Sequence, residues 1–384
     1  MNGSLCAYWL SITDGIGNAS ARSLLEYAGS YEEIWELTPG ELASPALKLP
    51  PSAVSALKKE RNEDEIQKSY ENMLASGISF YHDRHPAFPG KLKDIYNPPS
   101  WIYVKGKLPD PGKLSVAIVG ARNCSEYGRY VTRKISKALG DAGISVISGM
   151  ARGIDGIAQK AVLESGGYSC GVLGCGVDIC YPPENKDIYD FLLSSGGLIS
   201  EYRPGTKPVS GQFPMRNRII SGLSDVVIII EARERSGSLI TADMALEQGK
   251  DVYALPGRVT DALSHGCNRL IKQGAGIILS PEEFITDMIT DRLLVQNTLE
   301  DPVTEAVPAE EGLTKARQMT LTALYDLTES EQKIMSVMDF YPKSVKKLQD
   351  ETSLDPASLY AALTGLTLKG LTGQNGNHYY LSGK

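Results

Sequence analysis

Four stretches of the 384-residue chain, three of them with glycines, place arginine, lysine or aromatic side chains in spacings suited to binding an anion. The first, Gly120-Ala121-Arg122-Asn123, follows an apolar run and precedes a helical pattern. A turn of that kind aims backbone N–H groups and one guanidinium at a phosphate. The second, Ser148-Gly149-Met150-Ala151-Arg152-Gly153-Ile154-Asp155-Gly156, adds Arg152 and glycines that permit close backbone approach. In the third, Gly174-Cys175-Gly176-Val177-Asp178 runs into Tyr181-Pro182-Pro183-Glu184-Asn185-Lys186, which brings the amide of Asn185 and the ammonium of Lys186. The fourth, Phe213-Pro214-Met215-Arg216-Asn217-Arg218, holds one ring, two guanidiniums and an amide within six residues. A ring beside arginines is what a stacked base and its phosphates require. The candidate set is therefore Gly120, Arg122, Ser148, Gly149, Arg152, Asn185, Lys186, Phe213, Arg216, Asn217 and Arg218.

Other chemistries find less support. There is no GxGxxG and no GxxxxGK[ST], so the dinucleotide fingerprint and the phosphate-binding lysine of ATPases are both missing. The six cysteines form no CxxC pair and only four histidines accompany them, so no metal is expected. Cys170, Cys175 and Cys180 lie in an apolar stretch and read as packing residues. An enzymatic alternative is a hydrolase of nucleoside monophosphates, with Glu231 holding a ribose and Ser236-Gly237-Ser238 donating to phosphate.

These loops need strands to hold them. Leu114 to Val119, Ser145 to Ser148, Ser169 to Leu173, Gly197 to Ser200, Val226 to Ile230, Asp251 to Ala254 and Ile277 to Leu279 read as strands. Several are nearly unbroken Val/Ile runs, as parallel strands buried on both faces demand. Helical patterns such as Gly128 to Asp141 and Leu239 to Gln248 lie between them. The expected fold class is α/β, with a Rossmann-like, doubly wound, mostly parallel sheet over residues 113–290 and ligand loops at its carboxyl edge.

Residues 1–75 read as a small helical domain of the SAM or helix-hairpin-helix kind. Gly15-Ile16-Gly17-Asn18-Ala19-Ser20 suits either a phosphate-facing hairpin or a plain tight turn between helices, and the plain turn is expected. Residues 76–112, rich in Pro and aromatic side chains, read as a connecting lobe of loops around short strands. Residues 291–325, rich in Glu, Asp, Thr and Pro, fit a flexible linker. Residues 326–384 carry three helical patterns, a capping box at Thr328-Glu329-Ser330-Glu331 and a hairpin about Asn375-Gly376, which together read as a winged helix. Its third helix offers only Lys369 as a basic residue, so protein contact or weak duplex binding is expected there rather than operator recognition.

With 39 Lys and Arg against 46 Asp and Glu, the net charge of -7 rules out bulk-charge binding of polyanions. A nucleic-acid site has to be local, and two excesses stand out. Arg122 to Lys137 holds five basic residues against Glu126 alone, and Arg203 to Arg218 holds four and no acid. No apolar run approaches the roughly 20 residues of a membrane span, so a soluble, cytoplasmic protein without membrane contact is expected.

From Val116 through Leu279 the chain resembles the DNA processing protein A family (DprA, also called Smf). The matching pieces are Ile118-Val119-Gly120-Ala121-Arg122, Ser148 through Asp155, Gly174 through Asp178 with Tyr181-Pro182, Phe213 through Ser224, Ser236 through Ala242, and Gly266 through Ile271. The resemblance implies a non-enzymatic Rossmann-like domain that binds single-stranded DNA, protects it, and loads RecA recombinase onto it in natural transformation and recombination. It also implies a homodimer built through this domain, single-strand-binding protein as a further partner, and no cofactor. The apolar segments Val252 to Leu255 and Ile277 to Leu279 are the expected dimer surface. Carried onto this sequence, Arg122 matches the family's phosphate-loop arginine, Arg216-Asn217-Arg218 its RNR motif and Phe213 the stacking ring. Asn185 and Lys186 fall in the loop that lines its groove, while Asp155 and Asn217 are expected to brace loops.

Overall fold

The computed structural model describes residues 1–299, 327–338, 343–375 and 378–381. It divides into two compact units, Met1–Pro281 and Glu282–Lys384.

In the first unit, nine strands among the described residues form one sheet: β1 (Ile78–His82), β2 (Trp101–Gly106), β3 (Ser115–Gly120), β4 (Ser145–Ser148), β5 (Ser169–Val172), β6 (Gly197–Ser200), β7 (Val226–Ile230), β8 (Asp251–Ala254) and β9 (Gly276–Ile277). Their order is β1-β2-β6-β5-β4-β3-β7-β8-β9. The seven strands from β6 to β9 in that order pair in parallel. Strand order reverses between β3 and β7, the switch point beside which such sheets open a crevice. All five residues of β7 are buried, each apolar side chain stabilising the fold by about 1.5–3 kcal/mol.

Helices α7 (Glu126–Asp141), α8 (Ile154–Glu164), α9 (Lys186–Ser195), α10 (Gln212–Gly222), α11 (Gly237–Glu247) and α12 (His265–Lys272) connect the strands. The short strands expected in the 76–112 segment are β1 and β2. β1 and β2 form an antiparallel hairpin, and β2 adds antiparallel to β6, so this segment completes the sheet.

Six helices precede the sheet: α1 (Gly3–Ile12), α2 (Asn18–Ala28), α3 (Tyr31–Glu36), α4 (Pro39–Leu42), α5 (Pro51–Lys59) and α6 (Glu63–Ala75). Their core includes Trp9, Leu10 and Ile34 and runs on through Phe80, Trp101 and Tyr103 of the hairpin. Gly15, at φ +82, makes the turn between α1 and α2. Asn18 at the start of α2 bonds Glu201 at 2.9 Å and accepts from the Ser100 amide at 3.0 Å, so the turn is built into the body of the protein.

The second unit contains most of α13 (Pro281–Leu299), which carries helix across the first nine residues expected to be linker. Residues 300–325, the rest of that segment, lie outside the described residues, as does residue 326. Beyond them come α14 (Glu329–Val337), β10 (Lys343–Ser344), α15 (Val345–Thr352), α16 (Pro356–Leu368), β11 (Thr372–Asn375) and β12 (His378–Leu381). The strands pair antiparallel in the order β10-β12-β11, a wing on three helices. Ile334, Leu348, Leu359, Leu363 and Tyr379 share its core. The capping box at Thr328 and Glu331 forms as the sequence predicts, and Lys369 closes on Glu331 at 2.7 Å. Gly376, at the expected hairpin turn, is outside the described residues.

Candidate nucleic-acid interface

The carboxyl ends of β3, β4 and β5 lie side by side, and the loops leaving them are locked together by backbone contacts. The Ile154 amide donates to the Ala121 carbonyl at 3.2 Å, which lays the Arg152 loop against the Arg122 loop. Gly153, at φ +77, is required there, since a Cβ would come within 2.4 Å of the Arg122 carbonyl oxygen. Gly120 is required for another reason: a Cβ would sit 1.8 Å from the Ile230 carbonyl oxygen of β7.

Arg122 stands exposed above this junction and forms no ion pair among the described residues. Arg152 is exposed and loosely paired with Glu184 at 3.9 Å. Lys186 is exposed too, bonded to Asp190 one turn along α9 and lying 5.7 Å from the Tyr189 ring centroid. Phe213 is half-buried and stacks on Tyr181, with ring centroids 5.4 Å apart and planes at 26°. Its ring also covers Gly174, where a Cβ would come within 2.9 Å of it. Tyr181 thus completes a ring pair of which the sequence singles out only Phe213.

The remaining candidates spend their polar atoms on partners within the fold. Ser148 is fully buried and its hydroxyl donates to the Ile118 carbonyl at 2.6 Å. The Gly149 amide donates to Asp155 at 3.2 Å, and its carbonyl accepts from Arg216 at 2.9 Å. Arg216 is only 5% exposed, and it also donates to the Val172 carbonyl, spanning the ends of β4 and β5. Burial pushes the Asp155 carboxyl up and the Arg216 guanidinium down, and the opposite charge of each offsets that cost for the other. Arg218 is buried against Glu201 at 2.6 Å and donates to the Asn97 carbonyl at 2.8 Å. Asn185 spends its amide on the carbonyls of Met150, at 2.9 Å, and Ala151, at 3.0 Å, holding Met150 at φ +55. Asn217 bridges Arg216 to the Gly237 carbonyl, as the bracing expectation for it requires.

Glu231 follows β7 at the switch point with φ +55 and is 4% exposed. Its carboxylate accepts from the Ser125 amide at 2.8 Å and from the Ser125 hydroxyl, and lies against Gly128 at the start of α7. Tied to a helix N-terminus in this way, it is not presented to a ribose. Among the described residues no group of three or more His, Cys, Asp and Glu could hold a metal ion.

A Rossmann-like sheet without a dinucleotide fingerprint, bearing exposed cations and a stacked ring pair at its carboxyl edge, defines an α/β protein of the polyanion-binding kind. The family model for DNA recombination-mediator protein A matches residues 79–289, and the chain belongs to that family. It is 32% identical over 388 residues to protein Smf of Synechocystis, covering 96% of each chain. The X-ray structure of DNA processing protein A from Streptococcus pneumoniae superimposes with a TM-score of 0.65 and 33% identity over 73% of this chain and 97% of that one. The Helicobacter pylori protein, whose structure describes a single-stranded DNA binding mode, gives 0.51 and 31% over 56% of this chain and 96% of that one.

Proposed function

We propose that this protein binds single-stranded DNA along the carboxyl edge of β3, β4 and β5, protects it, and delivers it to RecA recombinase in recombination and natural transformation. The observation that carries the reading is the partly exposed Tyr181–Phe213 stack, packed over Gly174 just beyond the end of β5, on the same edge of the sheet as Arg122, which follows β3 and forms no ion pair among the described residues. Rings supply a platform to any base and cations follow the backbone, with no general base or metal needed. The single-strand binding mode described for the Helicobacter pylori relative supports the choice of ligand.

Delivery to RecA, contact with single-strand-binding protein and dimerisation rest on family membership. Ile277 and Leu279, 44% and 68% exposed beside the terminal strand β9, offer an apolar edge to a second copy. Val252 and Leu255 are buried and drop out of that surface. No helix among the described residues is long and apolar enough to cross a membrane, which suits a cytoplasmic role.

Fluorescence anisotropy of a labelled oligonucleotide, single-stranded against duplex over a salt series, tests the proposal. Tighter single-strand binding that weakens with salt and collapses in Arg122→Ala is expected. Equal affinity for both forms, indifferent to Arg122, would overturn it.

A further inference from the structure

Beyond the Arg122 loop, α7 presents a largely exposed face, held to the fold at its amino end where the Tyr127 hydroxyl donates to the Pro256 carbonyl at 3.3 Å. Tyr127, Tyr130 and Lys134 fall at i, i+3 and i+7, on one side of the helix. The two rings are 51% and 58% exposed, and the Lys134 ammonium lies 5.4 Å from the Tyr130 ring centroid. Arg129 and Lys137 are matched by Glu126 at 3.3 Å and Asp141 at 2.7 Å. Arg133 and Lys134 are exposed and have no acidic partner among the described residues. At the amino end of the helix the same face opens into a cavity of ≈ 680 Å³ lined by Tyr127, Pro256, Arg258, Asp261 and Ser264. Arg258 is exposed there and also lacks an ion pair among the described residues.

In a chain of net charge -7, exposed cations with no acidic partner among the described residues make a local positive excess. Two half-bare rings interleaved with them are the pattern of a single-strand stacking surface, where each base finds a ring and each phosphate a cation. The Arg122 loop leads directly into this helix, which begins four residues after Arg122. From Tyr127 to Lys134 it runs about 10 Å along the helix axis. The cavity between Tyr127 and Arg258 falls in the roughly 300–1,000 Å³ range of small-ligand sites, room enough for a base.

We propose that the outer face of α7, from the cavity beside Tyr127 to Lys134, is a second track for single-stranded DNA that carries a strand onward from Arg122. This rests on the single-strand reading above, but it names different residues and requires a longer ligand. The test uses the full chain and oligonucleotides of about 8 and about 20 nucleotides, short enough to occupy the ring platform alone and long enough to span both surfaces. For the double variant Tyr130→Ala/Lys134→Ala, affinity for the long strand should fall about tenfold while affinity for the short one stays within about twofold. Both side chains are exposed, so circular dichroism should match the wild type. Crosslinking of a bromouracil-substituted long strand to Tyr127 or Tyr130 is the second expected result.

An unchanged long-strand affinity, or an equal loss at both lengths, would overturn the track. Altered sedimentation of the variant with unchanged DNA binding would also overturn it, marking the face as a protein contact. A wild type that binds neither length removes the platform reading itself, whereas a wild type that binds both with equal affinity removes only the track.

Discussion

The Arg218 guanidinium and the Glu201 carboxylate meet at 2.6 Å, both almost wholly buried, and join the helix that follows β6 to the end of that strand. Glu201 also accepts from Asn18 at 2.9 Å, and Arg218 donates to the Asn97 carbonyl at 2.8 Å. One ion pair thus ties the helical layer, the β1–β2 hairpin and α10 together. Removing one partner strands the other charge in the interior, at a cost of about 3–5 kcal/mol. Arg218→Ala should therefore lower the thermal midpoint by several degrees in a calorimetric scan. The fraction that stays folded should bind single-stranded DNA with nearly wild-type affinity, and a loss of affinity without a loss of stability would contradict the assignment.

Tyr181 and Phe213 should behave in the opposite way. Each ring is partly exposed, Tyr181 on the loop after β5 and Phe213 in the first turn of α10, so Phe213→Ala leaves little core behind to collapse. Loss of a stacking ring costs about 1–3 kcal/mol per base. Anisotropy should show single-strand affinity falling by about tenfold or more in Phe213→Ala, with a similar loss in Tyr181→Ala. The double variant should lose less than the sum, because the two rings form one platform.

Why the strands and the helical connectors could be read directly, and half the site could not, follows from how each is encoded. Val226 to Ile230 announces itself because a strand covered on both faces has no polar position to interrupt it. α1 is silent for a related reason: Leu5 through Ser11 are all buried, so no polar stripe marks a helical period. Arg216 and Arg218 look like groove residues from their neighbours in sequence, but their burial is set by partners that only the fold delivers. The carbonyls of Gly149 and Val172 take Arg216, and Glu201 and Asn97 take Arg218. Arg122, by contrast, stands exposed on the turn after β3 and forms no ion pair among the described residues.

Acid should act at the opposite edge of the sheet. Asp225 receives the Ser115 amide at 2.9 Å and the Lys91 ammonium at 2.7 Å. Burial alone would raise its carboxyl, but Lys91 and Ser115 outweigh that and hold it below the ordinary carboxylate value. A depressed folded-state value means the stabilisation is fully present above about pH 4, where the unfolded group is ionised, and is lost as pH falls through the folded value. Thermal midpoints measured from pH 7 to pH 3 should drop less steeply for Asp225→Asn than for the wild type. Parallel curves would show that the contact contributes nothing to acid stability.

The exposed cations are not equivalent, and salt should rank them. Each phosphate contact on a single strand adds about 0.7 to the slope of log affinity against log salt. Arg122 has no acidic partner among the described residues, so a phosphate there meets an undivided charge. Lys186 already shares its charge with Asp190, and Arg152 faces Glu184 at 3.9 Å. A phosphate arriving at either has to compete with a carboxylate that stays behind and repels it. Arg122→Ala should therefore reduce the slope by about 0.7 and weaken binding most. Lys186→Ala and Arg152→Ala should reduce it by visibly less, with Arg152, the more loosely paired, falling between the other two. Anisotropy titrations from about 50 to 200 mM salt resolve these slopes. If Lys186→Ala flattened the slope as much as Arg122→Ala, the Asp190 pair would have to open on binding, and the strand would run closer to α9 than to α7.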